Sequence, residues 1–294
     1  MVLAFIAHGA TGTTGALARS AAFAGFEAVV LQPEEALGRL EPGDVALGRL
    51  DVLPSLDGVE PGLGVLGELE TRGVRVLNPP SVLLAAHDKL LTARALAGAG
   101  IPHPVTRFVA RKSSPLGLDP PLVVKPRFGS WGRDVALCRD GPELERTLAR
   151  LAGRAWFRSQ GALVQEFVPT LGYDLRLIVA GSEVVGAVER VPASGEWRSN
   201  VALGGRRRPV DPPEHARQLA LAAAGVLDAD LVGVDMLPTL DGGLVVLELN
   251  AAVDFTGEYS LGRDVFADAI AALTARLYTP AREAVQDAIA VPFA

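Results

Sequence analysis

The chain has 294 residues, 49% of them hydrophobic and 21% charged, with a formal charge of −6. That composition supports a folded core and excludes a disordered polyelectrolyte; the acidic balance argues against a nucleic-acid binder working by bulk attraction to phosphates. One cysteine, Cys138, excludes an intrachain disulfide framework and speaks against a cysteine zinc site.

Residues 2–7 read as a buried strand. They lack a basic flank and are followed at once by Gly9 and Gly12, so they do not resemble a signal peptide. No apolar run reaches membrane-spanning length, and a soluble cytoplasmic protein is expected. The stretch 8–15 (HGATGTTG) reads as a turn, 16–24 as a helix and 28–32 as a second strand. Short Gly- and Pro-rich α/β units follow to residue 67, then a strand at 74–77. Residues 81–97 read as one helix with Ser81 as its N-cap and Gly98 and Gly100 near its end. An extended segment, 101–106, leads to a strand at 122–125 and a glycine-containing loop, 126–133. A strand at 135–138, a helix at 141–152 and a strand at 163–167 come next. Residues 174–179 and 183–190 alternate as a hairpin. A helix at 214–225 precedes strands 231–237 and 244–249, joined by the turn Asp241-Gly242-Gly243. A last helix spans 264–278.

Three side chains near the end carry the strongest chemical signal. Glu248 and Asn250 are two apart on a strand and point the same way. The hairpin turn can bring Asp235 beside them. Two carboxylates and an amide oxygen make the hard donor set that Mg²⁺ prefers, with nucleotide phosphates completing the shell. An exposed polar hairpin face is the competing explanation. Lys125 ends an apolar strand, where a solvated face explains it poorly, and a lysine there can neutralise phosphate. The following glycines, Gly129 and Gly132, let backbone amides approach an anion; an ordinary turn would use them too. Gln165-Glu166-Phe167-Val168 is a strand running into a loop. It can present backbone groups to an adenine edge, or be a plain strand end. Lysine is rare here, with only Lys89, Lys112 and Lys125. Taken alone, Lys89 reads as part of a solvated helix face.

In this order the pieces resemble the ATP-grasp fold: Asp88-Lys89, Lys125, the glycine loop, the hinge 165–168, Asp174-Leu175-Arg176, Arg198-Ser199-Asn200, Asp235 and Glu248-x-Asn250. Gly129-Ser130-Trp131-Gly132-Arg133 and the stretch 197–205 resemble the ribosomal-protein glutamate-ligase-like (RimK-like) branch, nearest to the carrier-protein-dependent ligases of lysine and arginine biosynthesis. The resemblance covers about residues 81–272. It implies an α/β (α+β) architecture with an N-terminal pre-ATP-grasp domain (1–80), a central subdomain (81–168) and a C-terminal subdomain carrying the metal site (169–294). It also implies an ADP-forming carboxylate–amine ligase that works through an acyl phosphate. Lys89 and Lys125 would contact ATP phosphates under the loop of Gly129, Ser130, Trp131 and Gly132. Gln165, Glu166, Phe167 and Val168 would hold adenine, with Asp174 near the ribose and Asn200 near the phosphates. Asp235, Glu248 and Asn250 would bind two Mg²⁺ ions, for which Mn²⁺ can substitute. Arg190 or Arg198 would stabilise a tetrahedral oxyanion, although a solvated charge explains Arg190 equally well. The implied partners are small-molecule carboxylate and amine substrates, an amino acid or glutamyl group among them, or a peptide or carrier-protein acceptor, in a homo-oligomer.

The chain departs from that pattern after Asn250, where Asp254-Phe255 stands for a longer acid and a matching threonine is missing. Asp254 is a candidate for a substrate amine, or a helix cap before Gly257. The Gly9 to Gly15 turn reads as structural or as part of the acceptor site, and two rivals remain: an NAD(P)-dependent oxidoreductase using that turn with Glu34 on the ribose, and an ATP-binding regulator without turnover. Arg206-Arg207-Arg208 reads as a solvated loop or, following Gly204-Gly205 beside the site, as a run that could attract a phosphate or an acidic acceptor. His8, His87, His103 and His215 are scattered and form no metal cluster.

Overall fold

The computed structural model describes residues 1–10, 12–110 and 117–277. Apolar runs form a parallel sheet of β1 (Val2–Ile6), β2 (Glu27–Leu31), β3 (Val45–Gly48) and β4 (Arg75–Leu77), in the order β2-β1-β3-β4. Its inner strands β1 and β3 are buried almost throughout, as strands covered on both faces are. The helices α1 (Gly12–Phe23), α2 (Pro33–Arg39) and α3 (Leu63–Thr71) connect them. Helix α1 starts at Gly12, four residues before the position expected from the sequence. Thr13 and Thr14 are therefore helical and buried. Phe255 N donates to the Thr13 hydroxyl and that hydroxyl donates to Phe255 O, each at 2.9 Å, while Thr14 accepts from Arg49 Nε. These hydroxyls dock another chain segment, which removes them from the dinucleotide site considered above. Thr11 of that turn lies outside the described residues.

The expected helix 81–97 is two helices, α4 (Pro80–His87) and α5 (Lys89–Gly98). Asp88 breaks it with an extended ψ of 98° and caps α5 by accepting from Leu90 N at 3.0 Å. Arg127 Nε donates to both Asp88 oxygens at 2.8 Å. Ser81 is not the cap: α4 begins after Pro79, with Pro80 preset for a first turn.

A second, antiparallel sheet runs β5-β8-β6-β7, from β5 (Thr106–Val109), β6 (Leu122–Pro126), β7 (Ala136–Cys138) and β8 (Ala162–Glu166). The helices α6 (Gly141–Leu151) and α7 (Ala155–Gln160) flank it. The six-residue α7 was not expected from the sequence; buried Trp156 and Phe157 hold it by packing, since it is too short to stand alone.

The third sheet holds β9 (Asp174–Ala180), β10 (Glu183–Val191), β11 (Arg206–Pro209), β12 (Leu231–Pro238) and β13 (Leu244–Asn250), in the order β11-β10-β9-β12-β13. The arginine run expected as a loop is the edge strand β11, paired with β10. Period-two alternation divides this sheet's faces. Leu175, Leu177, Val179, Val232, Val234 and Met236 share a core with the alanines of α8 (Glu214–Val226). On the opposite face Ile178, Ala180 and Leu231 pack with α9 (Val265–Leu277) and α1. Further along that second face the alternate positions become Asp174, Arg176, Arg190, Asp235 and Glu248. The expected end of the last helix at Tyr278 lies outside the described residues.

Candidate active site

Lys125 lies near the end of β6 and is 8% exposed. Its ammonium donates to Gln165 Oε1 on the neighbouring strand β8 at 2.8 Å. Burial pushes its pKa down to about 8; Glu248 opposes that shift and Lys89 adds to it. Such a cation gains from an anionic ligand that restores its charge. Lys89 opens α5 and is not on a solvated face. Its ammonium donates to Gly129 O at 2.6 Å and pairs with Glu248 Oε2 at 3.1 Å. The Asp88 break fixes where α5 starts, and so where Lys89 points.

The third sheet supplies a lattice of alternating charges. Asp174 faces Arg190, and Asp235 faces both Arg176 and Glu248, as cross-strand partners. Arg190 donates to both oxygens of Asp174 at 2.7 Å and to Asp235 Oδ2 at 2.7 Å. Arg176 donates to both oxygens of Asp235 at 2.6 Å. Burial pushes the Asp235 carboxyl up, but the two guanidinium groups outweigh it and hold the pKa well below the usual carboxylate range. Arg190, opposed by burial, is held charged by Asp235 and Asp174. Ser199 Oγ also donates to Asp174.

The glycine loop crosses above. Trp131 and Gly132 take left-handed φ values of 59° and 71°. A Cβ on Gly132 would lie 2.7 Å from Asn200 Oδ1. Trp131 is exposed and carries Arg133 over its ring at 4.6 Å. Arg198 donates through Nη1 to Gly132 O at 2.9 Å and is held by Glu196. The hydrogen bonds from Arg198 pull the Glu196 carboxyl down to about 2. At the hinge, Glu166 N donates to Val105 O and Phe167 N to Pro121 O.

These parts enclose a cavity of about 150 Å³. Of the residues that the resemblance assigned to the ATP, metal, oxyanion and substrate sites, all except Asn250 and Asp254 line it. Those two line a second cavity of about 260 Å³, which shares Lys89, the 129–131 loop, Arg190, Asn200 and Glu248 with the first. The second cavity is also walled by Asp51 and Arg176, which had no role from the sequence, and by Arg207 of the arginine run. Arg176 stood within a quoted motif, but Asp51 follows a strand of the first sheet and carried no local signal. Burial, the largest influence, raises the Asp51 carboxyl; nearby Glu60 and Asp254 raise it further. Arg207 pairs with Glu258 at 3.0 Å, while its Nε is buried without a hydrogen-bond partner. Asp254 lies 3.5 Å from buried Arg49, and the turn Gly257–Tyr259 that follows is capped instead by Thr256, which accepts from Glu258 N.

Asp235 and Glu248 oppose each other directly, and Asn250 Oδ1 accepts from Ala252 N at 3.0 Å. Each oxygen type keeps further lone pairs, so all three can serve as hard donors. No cluster of three or more His, Cys, Asp or Glu side chains able to hold a metal exists among the described residues. Two acids and an amide fit an ion whose shell is completed by phosphate oxygens.

The three sheets and the cleft between the last two define the ATP-grasp fold. The chain superposes on a RimK domain ATP-grasp protein from Sphaerobacter thermophilus with a TM-score of 0.66 at 24% identity, covering 93% of this chain and 100% of that one. D-alanine–D-alanine ligase from Bacillus anthracis gives 0.67 at 17% identity, covering 94% and 97%. Residues 86–273 match the RimK-like ATP-grasp domain, and the chain belongs to that family. It is 33% identical over 223 residues to glutamate–LysW ligase ArgX of Sulfurisphaera tokodaii, covering 74% of this chain and 78% of that protein. It is 34% identical over 212 residues to β-citrylglutamate synthase B of Danio rerio, covering 68% of this chain and 51% of that protein. The protein is thus an ATP-dependent carboxylate–amine ligase, of a fold that binds ATP and divalent metal ions. No helix among the described residues is long and apolar enough to cross a membrane.

Proposed function

We propose that the first cavity holds ATP and the second holds an amino acid or glutamyl-type substrate, with transfer occurring where the two meet. The observation that carries this reading is the convergence of Lys89, Lys125 and Glu248 from three separate elements on one cavity wall. Lys125 and Lys89 would neutralise the phosphates while the loop of Gly129 to Gly132 covers them and Gln165 to Val168 border the adenine. Two Mg²⁺ ions, or Mn²⁺ in their place, would be held by Asp235, Glu248 and Asn250 and would supply charge neutralisation at the phosphate oxygens. Asp174 spends its carboxylate on Arg190 and Ser199, so it serves the ATP site by fixing Arg190.

A carboxylate is a poor electrophile. Transfer of the γ-phosphoryl group to its oxygen gives ADP and an acyl phosphate, and attack by the amine then expels phosphate and releases a proton. Arg190 borders both cavities and is fixed by two acids, a preorganised donor for the oxyanion of that attack. Arg198 holds the closed loop through Gly132 O, which excludes water from the acyl phosphate. Asp51 and Asp254 would face the substrate's ammonium, and Arg207 a carboxylate. The relatives named as a glutamate–LysW ligase and a β-citrylglutamate synthase support a glutamyl-type substrate. The remaining elements of this reading are a unit division at 1–80, 81–168 and 169–294, a homo-oligomer in the cytoplasm, and a peptide or carrier-protein end as the other form of acceptor. ADP release with MgATP, screened across amino acids and glutamyl peptides, tests the proposal. It should require both a carboxylate and an amine, and Lys125→Ala or Glu248→Ala should lower it by roughly a thousandfold or more. Undiminished turnover in both variants would overturn the site.

A further inference from the structure

We propose that His103 is a positioning residue that holds the two halves of the ATP site in register. The inference rests on the reading that Lys125 meets the triphosphate. His103 lies in the segment between α5 and β5 and touches both sheets that form the cleft. Its Nδ1 is 2.7 Å from Val246 O. A carbonyl only accepts, so Nδ1 carries the proton and Nε2 presents a lone pair. That lone pair faces Thr106 Oγ1 at 3.2 Å and Gln165 Nε2 at 3.4 Å. Gln165 Nε2 also donates to Thr106 Oγ1 at 2.8 Å. The amide is thereby oriented from one end, with its oxygen directed at the Lys125 ammonium. Reversing the amide would set donor against donor at Lys125 and acceptor against acceptor at His103.

The other contact acts on the metal half. β13 is the edge strand of its sheet, so its outer backbone groups need partners. At Val246 both are covered from one segment: Val246 N donates to Pro102 O at 2.8 Å, and Val246 O accepts from His103. The β12–β13 register shifts immediately beyond, between the pairs Met236–Val246 and Asp235–Glu248. Such a bulge re-aims the side chain that follows it, here Glu248. One imidazole therefore braces the amide that orients Lys125 and the backbone next to the bulge that aims Glu248. Burial keeps this ring neutral, which the arrangement of one donor and one acceptor requires.

Steady-state kinetics and MgATP binding on the full chain test the assignment. His103→Leu should raise KM for MgATP roughly tenfold, the scale of one lost orienting hydrogen bond. KM for the amine substrate should stay unchanged, and kcat should fall less than KM rises. His103→Asn keeps a donor for Val246 O but loses the acceptor for Gln165. It should shift KM for MgATP in the same direction, and it serves if the leucine variant does not fold. Combined with Gln165→Leu, His103→Asn should add little to the effect of Gln165→Leu alone, because the acceptor it loses acts through that amide. An unchanged KM for MgATP in His103→Asn, or full additivity with Gln165→Leu, overturns the proposal. If instead Lys125→Ala still binds MgATP with full affinity, the Lys125 reading fails, and the His103 kinetics are then not its cause.

Discussion

The two cavities share a wall but are built by different rules. The first is framed by strands and their immediate continuations: β6 and β8 bring Lys125 and Gln165, and the charged face of β9, β10, β12 and β13 brings the acid–arginine lattice. Its charges neutralise one another closely, so it can stay rigid without a ligand. The second cavity adds residues from parts of the chain far from those strands' shared centre. Asp51 comes from the first sheet's side, Arg207 from the far edge strand and Asp254 from the chain after β13. There like charges approach one another, as with Asp51 and Asp254, and Arg207 keeps a buried N–H without an acceptor. The contrast suits a nucleotide site common to a whole fold next to a substrate site that differs among its members.

The sharpest way to break this contrast is Asp235→Ala. It leaves Arg176 and Arg190 without their shared counter-charge in a buried site, which should destabilise the protein by about 3–5 kcal/mol and lower Tm by roughly 10 °C. Calorimetry checks it; a Tm change under about 2 °C would mean that the lattice is not what makes the first cavity rigid.

The next effect is pH-dependent. Lys125 titrates at about 8 in the folded chain against an ordinary 10.5. Between those values the unfolded chain binds more protons, so this residue's contribution to stability rises with pH across that window. MgATP binding runs oppositely, because the phosphates favour the ammonium. Above pH 8 it should take up a proton and weaken by up to about tenfold per unit, measured by calorimetry in buffers of different ionisation enthalpy. Absence of proton uptake at pH 9 would dissociate Lys125 from the phosphates.

Asp51→Asn probes the second cavity alone. It should raise KM for the amine-bearing substrate roughly fivefold and leave KM for MgATP unchanged; equal shifts in both would mean that the cavities are not functionally distinct. The smallest effect is expected from Gly132→Ala. A left-handed φ and the nearby Asn200 side chain make alanine strained there, costing about 1 kcal/mol and a few degrees of Tm, read by thermal unfolding.

How far the sequence alone could lead differs between the cavities for the same reason. Glu248 and Asn250 share a strand face by period two, and Lys125 closes an apolar strand, so their candidacy was legible, although Lys125 borders the first cavity and Asn250 the second. The break at Asp88 was not, because its cause is a partner, Arg127, 39 residues away in the chain. Nor was the strand at Arg206 to Pro209, whose arginines look solvated until β10 pairs with them. His103 looked like one of four scattered histidines; only the approach of Val246 and Gln165 gives it a place.

By itself the sequence determined the fold class, the family and the residue types proposed to meet ATP, because those depend on local periodicity and on motifs fixed by backbone geometry. The tertiary structure decided which charges neutralise which, where the second cavity lies and which residues of the first sheet reach it. Those outcomes depend on groups far apart in the chain meeting at hydrogen-bonding distance, and no local pattern encodes that distance.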